Sequence, residues 1–406
     1  MTRASLPRRL HTRCEMSQTE PSTPGRVEPA VVVIAAGVCA ALHIGKLPPA
    51  ITTLGEALGL AFGAVADGLG LRRSMIAGLC LLSLASGLGG AATSVPVLML
   101  LRVLEGLGFL LVVLPAPGLV RQLVAPGRVS LMLGVWGAYM PLATALALLT
   151  GPLFIALLGW RGWWWGLGGL ALAMAVVLAR VVPARTTARP APPGHGAPAA
   201  AVSPVTLASR LRLTLSAPGP WLVALTFAMY SGQWLAVIGF LPAIYAQAGV
   251  AGGASAVLTA LAAAANIAGN VGSGRLLQRG VPAPRLLALG FATMALAALA
   301  AFAGGAGSGL PGWMRYAAVL VFSGVGGLIP ATLFALALRL APGPATLSTT
   351  VGWVQQWSAL GQFAGPPAVA WVASQAGGWQ WTGLATAACS ALGLLLTAAI
   401  AHRLRP

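Results

Sequence analysis

The chain has 406 residues, of which 58% are hydrophobic and 7% charged, and its formal net charge is +18. Soluble globular domains carry about 25% charged residues, so this composition excludes a soluble protein. The positive charge does not point to nucleic acid, because the arginines stand in short segments between apolar runs, where such clusters set membrane orientation.

In chain order, residues 1–29 form a tail with five arginines, read as disordered and cytoplasmic. The first apolar run, 31–49, lacks a small-residue cleavage site and reads as a retained helix. Further apolar spans cover about 74–93, 96–119, 129–158, 163–182, 220–246, 252–274, 286–306, 315–338, 345–372 and 382–402. Each approaches the roughly 20 residues that a helix needs to cross the hydrocarbon core. The expected fold is therefore all-α, a polytopic membrane protein of two six-helix bundles. A helical bundle at 30–183 and another at 218–403 are joined by 184–217, which is rich in Pro, Ala and Arg and reads as a flexible cytoplasmic linker. Arginines fall on one set of alternating connections, which places both termini and the linker on the cytoplasmic side.

Internal similarity supports the halving. Gly63 and Gly274 open related segments 211 residues apart, and Gly151-Pro152 recurs 214 residues later as Gly365-Pro366. One departure stands out: 54 residues separate Pro220 from Gly274, but only 32 separate Val31 from Gly63. The deficit is about one transmembrane helix and falls in the second helix, so 11 or 12 crossings are expected. The stretch 51–67 would rise about 25 Å if helical, against a core of about 30 Å. Either a compressed helix or re-entrant hairpin fills the gap, or the chain is a deletion variant, a non-transporting or interaction protein.

Two motifs carry a family resemblance. Gly63, Asp67, Gly70, Arg72 and Arg73 follow the pattern G-x-x-x-D-R-x-G-R-R, except that Gly68 stands where the first arginine is expected. Arg102-Val-Leu-Glu105-Gly106-Leu-Gly108 follows R-x-x-Q/E-G-x-G. Over about residues 30–402 the chain resembles the major facilitator superfamily. The segments His43 to Pro49, Gly326 to Phe334 and Gly361 to Pro367 look like its cyanate and 2-nitroimidazole permease-like branch. The resemblance implies a secondary active transporter of the cytoplasmic membrane, working as a monomer by alternating access on a small organic or anionic solute, with protons as coupling ion. In the family the arginine matching Arg102 is linked to coupling or to the conformational change.

A charge inside a bilayer is costly unless it faces a cavity, a partner or the interface. Lys46 is the only lysine, one turn after His43. Its ammonium suits an anionic substrate, or it snorkels to the headgroups. Arg102 and Glu105 are three apart and can meet on one helical face; with Glu56 they are candidates for proton coupling, a static ion pair being the alternative. Asp67 with Arg72 and Arg73 reads as a cytoplasmic gate, the carboxylate near a neighbouring helix end and bridged to arginines. Gln278 in the second copy cannot form the same ion pair, so the latch is expected to be stronger on the first half. Tyr139, Tyr230, Gln233, Asn266, Asn270, Gln355, Gln356 and Gln362 are neutral cavity candidates, or helix–helix contacts. Pro141, Pro152, Pro330 and Pro366 mark possible bends. The cysteines Cys14, Cys39, Cys80 and Cys389 and the four histidines show no metal-ligand spacing, so no metal, cofactor or enzyme activity is expected.

Overall fold

A computed structural model describes residues 28–44, 63, 66–184, 206–302, 304 and 309–405. Lys46, Glu56 and the question of whether 51–67 crosses the bilayer lie outside the described residues or at their margin. Among the described residues the secondary structure is helical, with no strand.

The first half contains α1 (Pro29–Ile44), α2 (Leu71–Ala91), α3 (Val95–Val113), α4 (Ala116–Leu123), α5 (Val129–Gly137) and α6 (Tyr139–Val181). The second contains α7 (Leu207–Ser216), α8 (Pro218–Gln247), α9 (Gly252–Gln278), α10 (Ala283–Phe302), α11 (Gly312–Gly326), α12 (Leu328–Leu340), α13 (Leu347–Gln375) and α14 (Thr382–Arg403). Among the described residues, eight helical stretches are long and apolar enough to cross a membrane, and one of them, Pro126–Val181, is two helices joined at a reversal. Its reversal is at Gly159, with φ 68° and ψ 170°. The ring of Phe154 before the turn meets that of Trp163 after it, with centroids 5.3 Å apart.

Three breaks inside crossings have one cause. Proline lacks the N–H that would bond the carbonyl four residues back. The helix is interrupted at Ala138, ahead of Pro141, and at Gly327, ahead of Pro330. The break between α3 and α4 stands at Pro115, which the sequence reading had not singled out. There the carbonyl of Leu111, four residues before Pro115, accepts a hydrogen bond from Ser74 Oγ at 3.0 Å, so that acceptor is not stranded in the bilayer. Helices α6 and α13 run on through Pro152 and through Pro366 and Pro367.

Within the first half, α2 packs on α3 and α6, and α1 lies along α6; within the second, α8 packs on α13 and α10 on α14. Small residues permit close approach in both. A Cβ on Gly232 of α8 would stand 2.7 Å from the carbonyl oxygen of Gly361 on α13, so the two backbones touch. Outward faces carry exposed leucines such as Leu84, Leu100, Leu157, Leu296 and Leu395, the surface expected against lipid. The segment read as a flexible linker is in part ordered. Residues Leu207–Ser216 form α7, whose Thr206 cap accepts from the Ser209 N–H at 3.3 Å and whose Thr214 is fully buried. The Thr206 cap and the buried Thr214 fasten that end; residues 185–205 lie outside the described residues.

Candidate functional site

The two halves meet along one seam, tight at the arginine-rich end and open at the other. At the tight end α5 lies on α9. A Cβ on Gly134 would stand 2.7 Å from both Asn270 O and Gly274 Cα, and Gln278 Nε2 donates to the carbonyl of Gly127 at 2.8 Å. Toward the arginine-poor end the same helices part. A cavity of about 660 Å³ separates Ala147, Gly151 and Ile155 of α6 from Ser255 and Thr259 of α9, with Pro242 and Ala246 of α8 completing it.

Between these lies a smaller polar cavity of about 50 Å³. The first half contributes Gly137, Tyr139, Met140 and Pro141 at the α5–α6 break. The second contributes Phe227, Tyr230, Ser231 and Trp234 from α8, Asn266 from α9, Phe334 from α12, and Gln355, Ser358 and Gln362 from α13. None of these described lining residues is charged. They are cross-tied: Asn266 Nδ2 donates to Tyr230 Oη at 2.9 Å and to Ser323 O at 2.7 Å, and Gln355 Nε2 donates to Tyr139 Oη at 3.3 Å, joining the halves. Gln362 Nε2 donates to Ser358 Oγ at 3.3 Å.

The arginine-rich end is fastened by Asp67. Its Oδ1 accepts from the Ser348 N–H at 3.0 Å, and its Oδ2 accepts from the Thr349 N–H and the Thr349 hydroxyl, both at 2.7 Å. These N–H groups belong to the first turn of α13, which have no partner within the helix, and a carboxylate suits that positive end. Burial pushes the Asp67 pKa above its ordinary value, and the Thr349 and Ser348 hydrogen bonds oppose the rise. Gly63 lies against the Ser348 carbonyl, and Gly70 has φ 89°, a conformation that favours glycine, as the turn enters α2. In the second half Gly280 has φ 86° in the corresponding turn.

Residues 50–355 match the sequence profile of the Major Facilitator Superfamily. The chain belongs to the Major Facilitator Superfamily. No curated protein shows a significant sequence match to it. Among solved structures it is similar to the superfamily transporter FucP in the outward conformation, at 13% identity and a TM-score of 0.69, covering 92% of this chain and 98% of that one. A variant of the E. coli fucose:proton symporter FucP matches at 16% identity and a TM-score of 0.67, covering 91% of this chain and 98% of that one. The proton:xylose symporter XylE bound to 6-bromo-6-deoxy-D-glucose matches at 14% identity and a TM-score of 0.69, covering 92% and 95%. At these identities the likeness is one of fold. Resemblance to the superfamily thus stands, while none of these matches concerns its cyanate and nitroimidazole branch.

Against this superfamily fold, the signature residues take partly unexpected partners. Asp67 reaches the neighbouring helix end as expected, but not an arginine. Arg72 turns the other way, its Nε donating to Val182 O at 2.8 Å and its Nη2 to Ala179 O, so it caps the end of α6. The reason is geometric: the positive-φ turn at Gly70 leads Arg72 toward α6, where unpaired carbonyls suit a cation. Arg73 is exposed. At Gly68, where the family pattern has arginine, a Cβ would stand 3.1 Å from Arg210 Nη1 of α7. Gln278, the second-half counterpart, makes its one bond to Gly127 where Asp67 makes three.

Arg102 and Glu105 form an ion pair with each side chain almost wholly buried inside the first half. Arg102 Nη2 also donates to the carbonyl of His43 at 2.9 Å, and its guanidinium lies 5.9 Å from the Trp164 ring. Of the substrate candidates, the cavity gathers Tyr139, Tyr230, Asn266 and Gln362. His43 instead belongs to the Arg102 cluster, with Nδ1 3.0 Å from Cys39 O. Gln233 ties α8 to α14, its Oε1 accepting from Ser390 Oγ at 2.9 Å. Asn270 backs the cavity, donating to Asn266 Oδ1 at 2.8 Å, and Gln356 is not part of the lining. Phe227, Ser231, Trp234 and Ser358 were not among the residues singled out by sequence. For Ser358 a signal existed: α13, despite its 29 residues, is studded with Ser, Thr and Gln and falls below the hydropathy of the other crossings.

Proposed function

We propose that this protein is a secondary carrier of the cytoplasmic membrane that moves a small solute by alternating access, with both termini in the cytoplasm. The observation that carries the reading is the asymmetric seam: closed by Asp67, Gly134 and Gln278 at the arginine-rich end, open over about 660 Å³ at the other. The positive-inside tendency makes the closed end cytoplasmic. The solute enters from outside, reaches the polar cavity, and is released when the Asp67 latch opens and the outer halves close. Hinges are provided by the proline breaks at Ala138 and Gly327, which lie beside the cavity.

Proton coupling is assigned to Arg102 and Glu105. Glu105 is the acid buried within a crossing among the described residues. Protonation would remove the charge that balances Arg102 and leave it to the His43 carbonyl and the Trp164 face, a packing change between α1, α3 and α6. Similarity in fold to two proton symporters, FucP and XylE, supports this reading.

Spin-label pairs test the cycle in the full chain held in nanodiscs. One pair, at Ser130 and Gln278, spans the closed end; another, at Leu148 and Ala256, spans the open end. Two states are expected, in which one distance lengthens as the other shortens, and Glu105→Gln should weaken the pH dependence of their ratio, leaving only the part that Asp67 contributes. A single invariant distance at each end under all conditions overturns alternating access.

A further inference from the structure

The cavity also constrains what is carried, and this inference rests on the carrier reading above. The expectation of an anionic cargo came from Lys46, which lies outside the described residues. The described walls say something different. Tyr230 Oη accepts the Asn266 amide, which leaves its proton to give. Gln355 is 6% exposed, donates one amide N–H to Tyr139, and keeps Oε1 buried without a protein partner. Buried polar atoms are almost always satisfied, and Gln355 lines the cavity, so the partner of this acceptor is a water or a solute group that enters from there. A carboxylate or another anion offers no proton to it. A full cation finds no carboxylate in the described lining to offset its desolvation. The remaining surface is apolar and aromatic: Phe227, Trp234 and Phe334 beside the polar groups, then Ile155, Trp163 and Pro242 in the wider cavity.

The geometry points to an uncharged solute that donates a hydrogen bond from an amide or hydroxyl to Gln355 Oε1, accepts one from Tyr230, and lays an apolar face toward the wide cavity. The polar cavity of about 50 Å³ fits one such polar group, and the cavity of about 660 Å³ falls in the range of small-molecule sites. The narrow end selects by hydrogen bonds and charge, and the wide end only by size.

Three planar probes of nearly one shape separate the possibilities: benzamide is neutral, benzoate an anion and benzamidinium a cation. Equilibrium dialysis of each, radiolabelled, against the full chain in nanodiscs gives their relative affinities. Benzamide should bind at least tenfold tighter than either ion, and Gln355→Leu should weaken it about tenfold. Gln355→Glu guards against a poorly folded leucine variant, since it keeps the acceptor and should turn the preference toward benzamidinium. Preference of the wild type for benzoate, abolished by Lys46→Gln, overturns the inference in favour of the lysine. Preference for benzamidinium, or failure to bind benzamide, overturns it as well. Flux of benzamide into proteoliposomes is measured separately: binding with the expected variant pattern but no flux leaves the ligand class standing and removes the carrier reading.

Discussion

Asp67 is held by neutral donors and Glu105 by a cation, and losing the second should therefore cost more than losing the first. Removing the Asp67 carboxylate uncaps the first turn of α13 and costs about 1–2 kcal/mol, a loss confined to the state in which the arginine-rich end is closed. Asp67→Ala should accordingly raise labelling of a cysteine at Gln278 by an impermeant thiol reagent, with little change in melting temperature of the open form. Its pH response follows from the raised pKa. The seated carboxyl keeps its proton at pH values where a water-exposed one, near 3.8, has lost it. Acidification through that window thus favours the seated, closed end, and the preference is lost as pH rises above it. The Ser130–Gln278 spin-label distance should shorten on acidification through that window in the wild type, and Asp67→Asn should remove this component of the pH response. For Glu105 the penalty is larger: Glu105→Leu leaves Arg102 buried and unpaired, a loss of about 3–5 kcal/mol, whereas Arg102→Met combined with Glu105→Leu should recover most of it. Thermal unfolding in detergent distinguishes the two, and equal destabilisation by the single and double changes would contradict a true pair.

At the scale of elements, the helices are set by apolar run length and their breaks by proline. Pro115, Pro141 and Pro330 each lie just after an interruption, yet Pro152 and Pro366 do not interrupt theirs. The residue type alone was therefore an incomplete guide. A break needs a tertiary partner for the freed carbonyl, as Ser74 supplies for Leu111, and that pairing joins residues 37 apart. The same limit applies to α7, where a leucine-bearing turn capped by Thr206 is ordered by what it packs on. The seam between α5 and α9 depends on missing side chains. Gly134→Val would push valine methyls into Gly274 and Asn270 and should bar closure of the arginine-rich end. Spin-label distances there are expected to stay long, with folding intact because each half keeps its own core. Gly70→Ala places a Cβ on a backbone at φ 89° and should cost about 1 kcal/mol in thermal stability.

At the scale of the molecule, two parallel halves enclose the small polar cavity, whose lining is mostly from the second half. The repeat is visible in the sequence through the spacing of Gly63 and Gly274, and the paired positive-φ turns at Gly70 and Gly280 give it a structural counterpart. Asp67 makes three hydrogen bonds at one pseudo-equivalent corner and Gln278 one at the other, so opening should begin on the Gln278 side. Hydrogen exchange at the arginine-rich end provides the check: protection should fall first around Gly127 and Gln278, later around Ser348 and Thr349.

The sequence by itself determined that the chain is helical, crosses a membrane many times, repeats itself and carries the superfamily's signature residues. These are properties of composition, run length and period, and they need no knowledge of which helix meets which. It also picked out Tyr139, Tyr230, Asn266 and Gln362, because polar side chains in apolar helices are costly unless they face each other or a cavity. Only the tertiary structure decided which did which. Gln233 and His43 make their side-chain hydrogen bonds inside one half, Arg72 caps α6 in place of meeting Asp67, and Gln355 is left with an acceptor that the protein does not use. The physical reason is that a polar atom's role in a low-dielectric interior is fixed by the partner it finds, and those partners lie as far as 282 residues away along the chain.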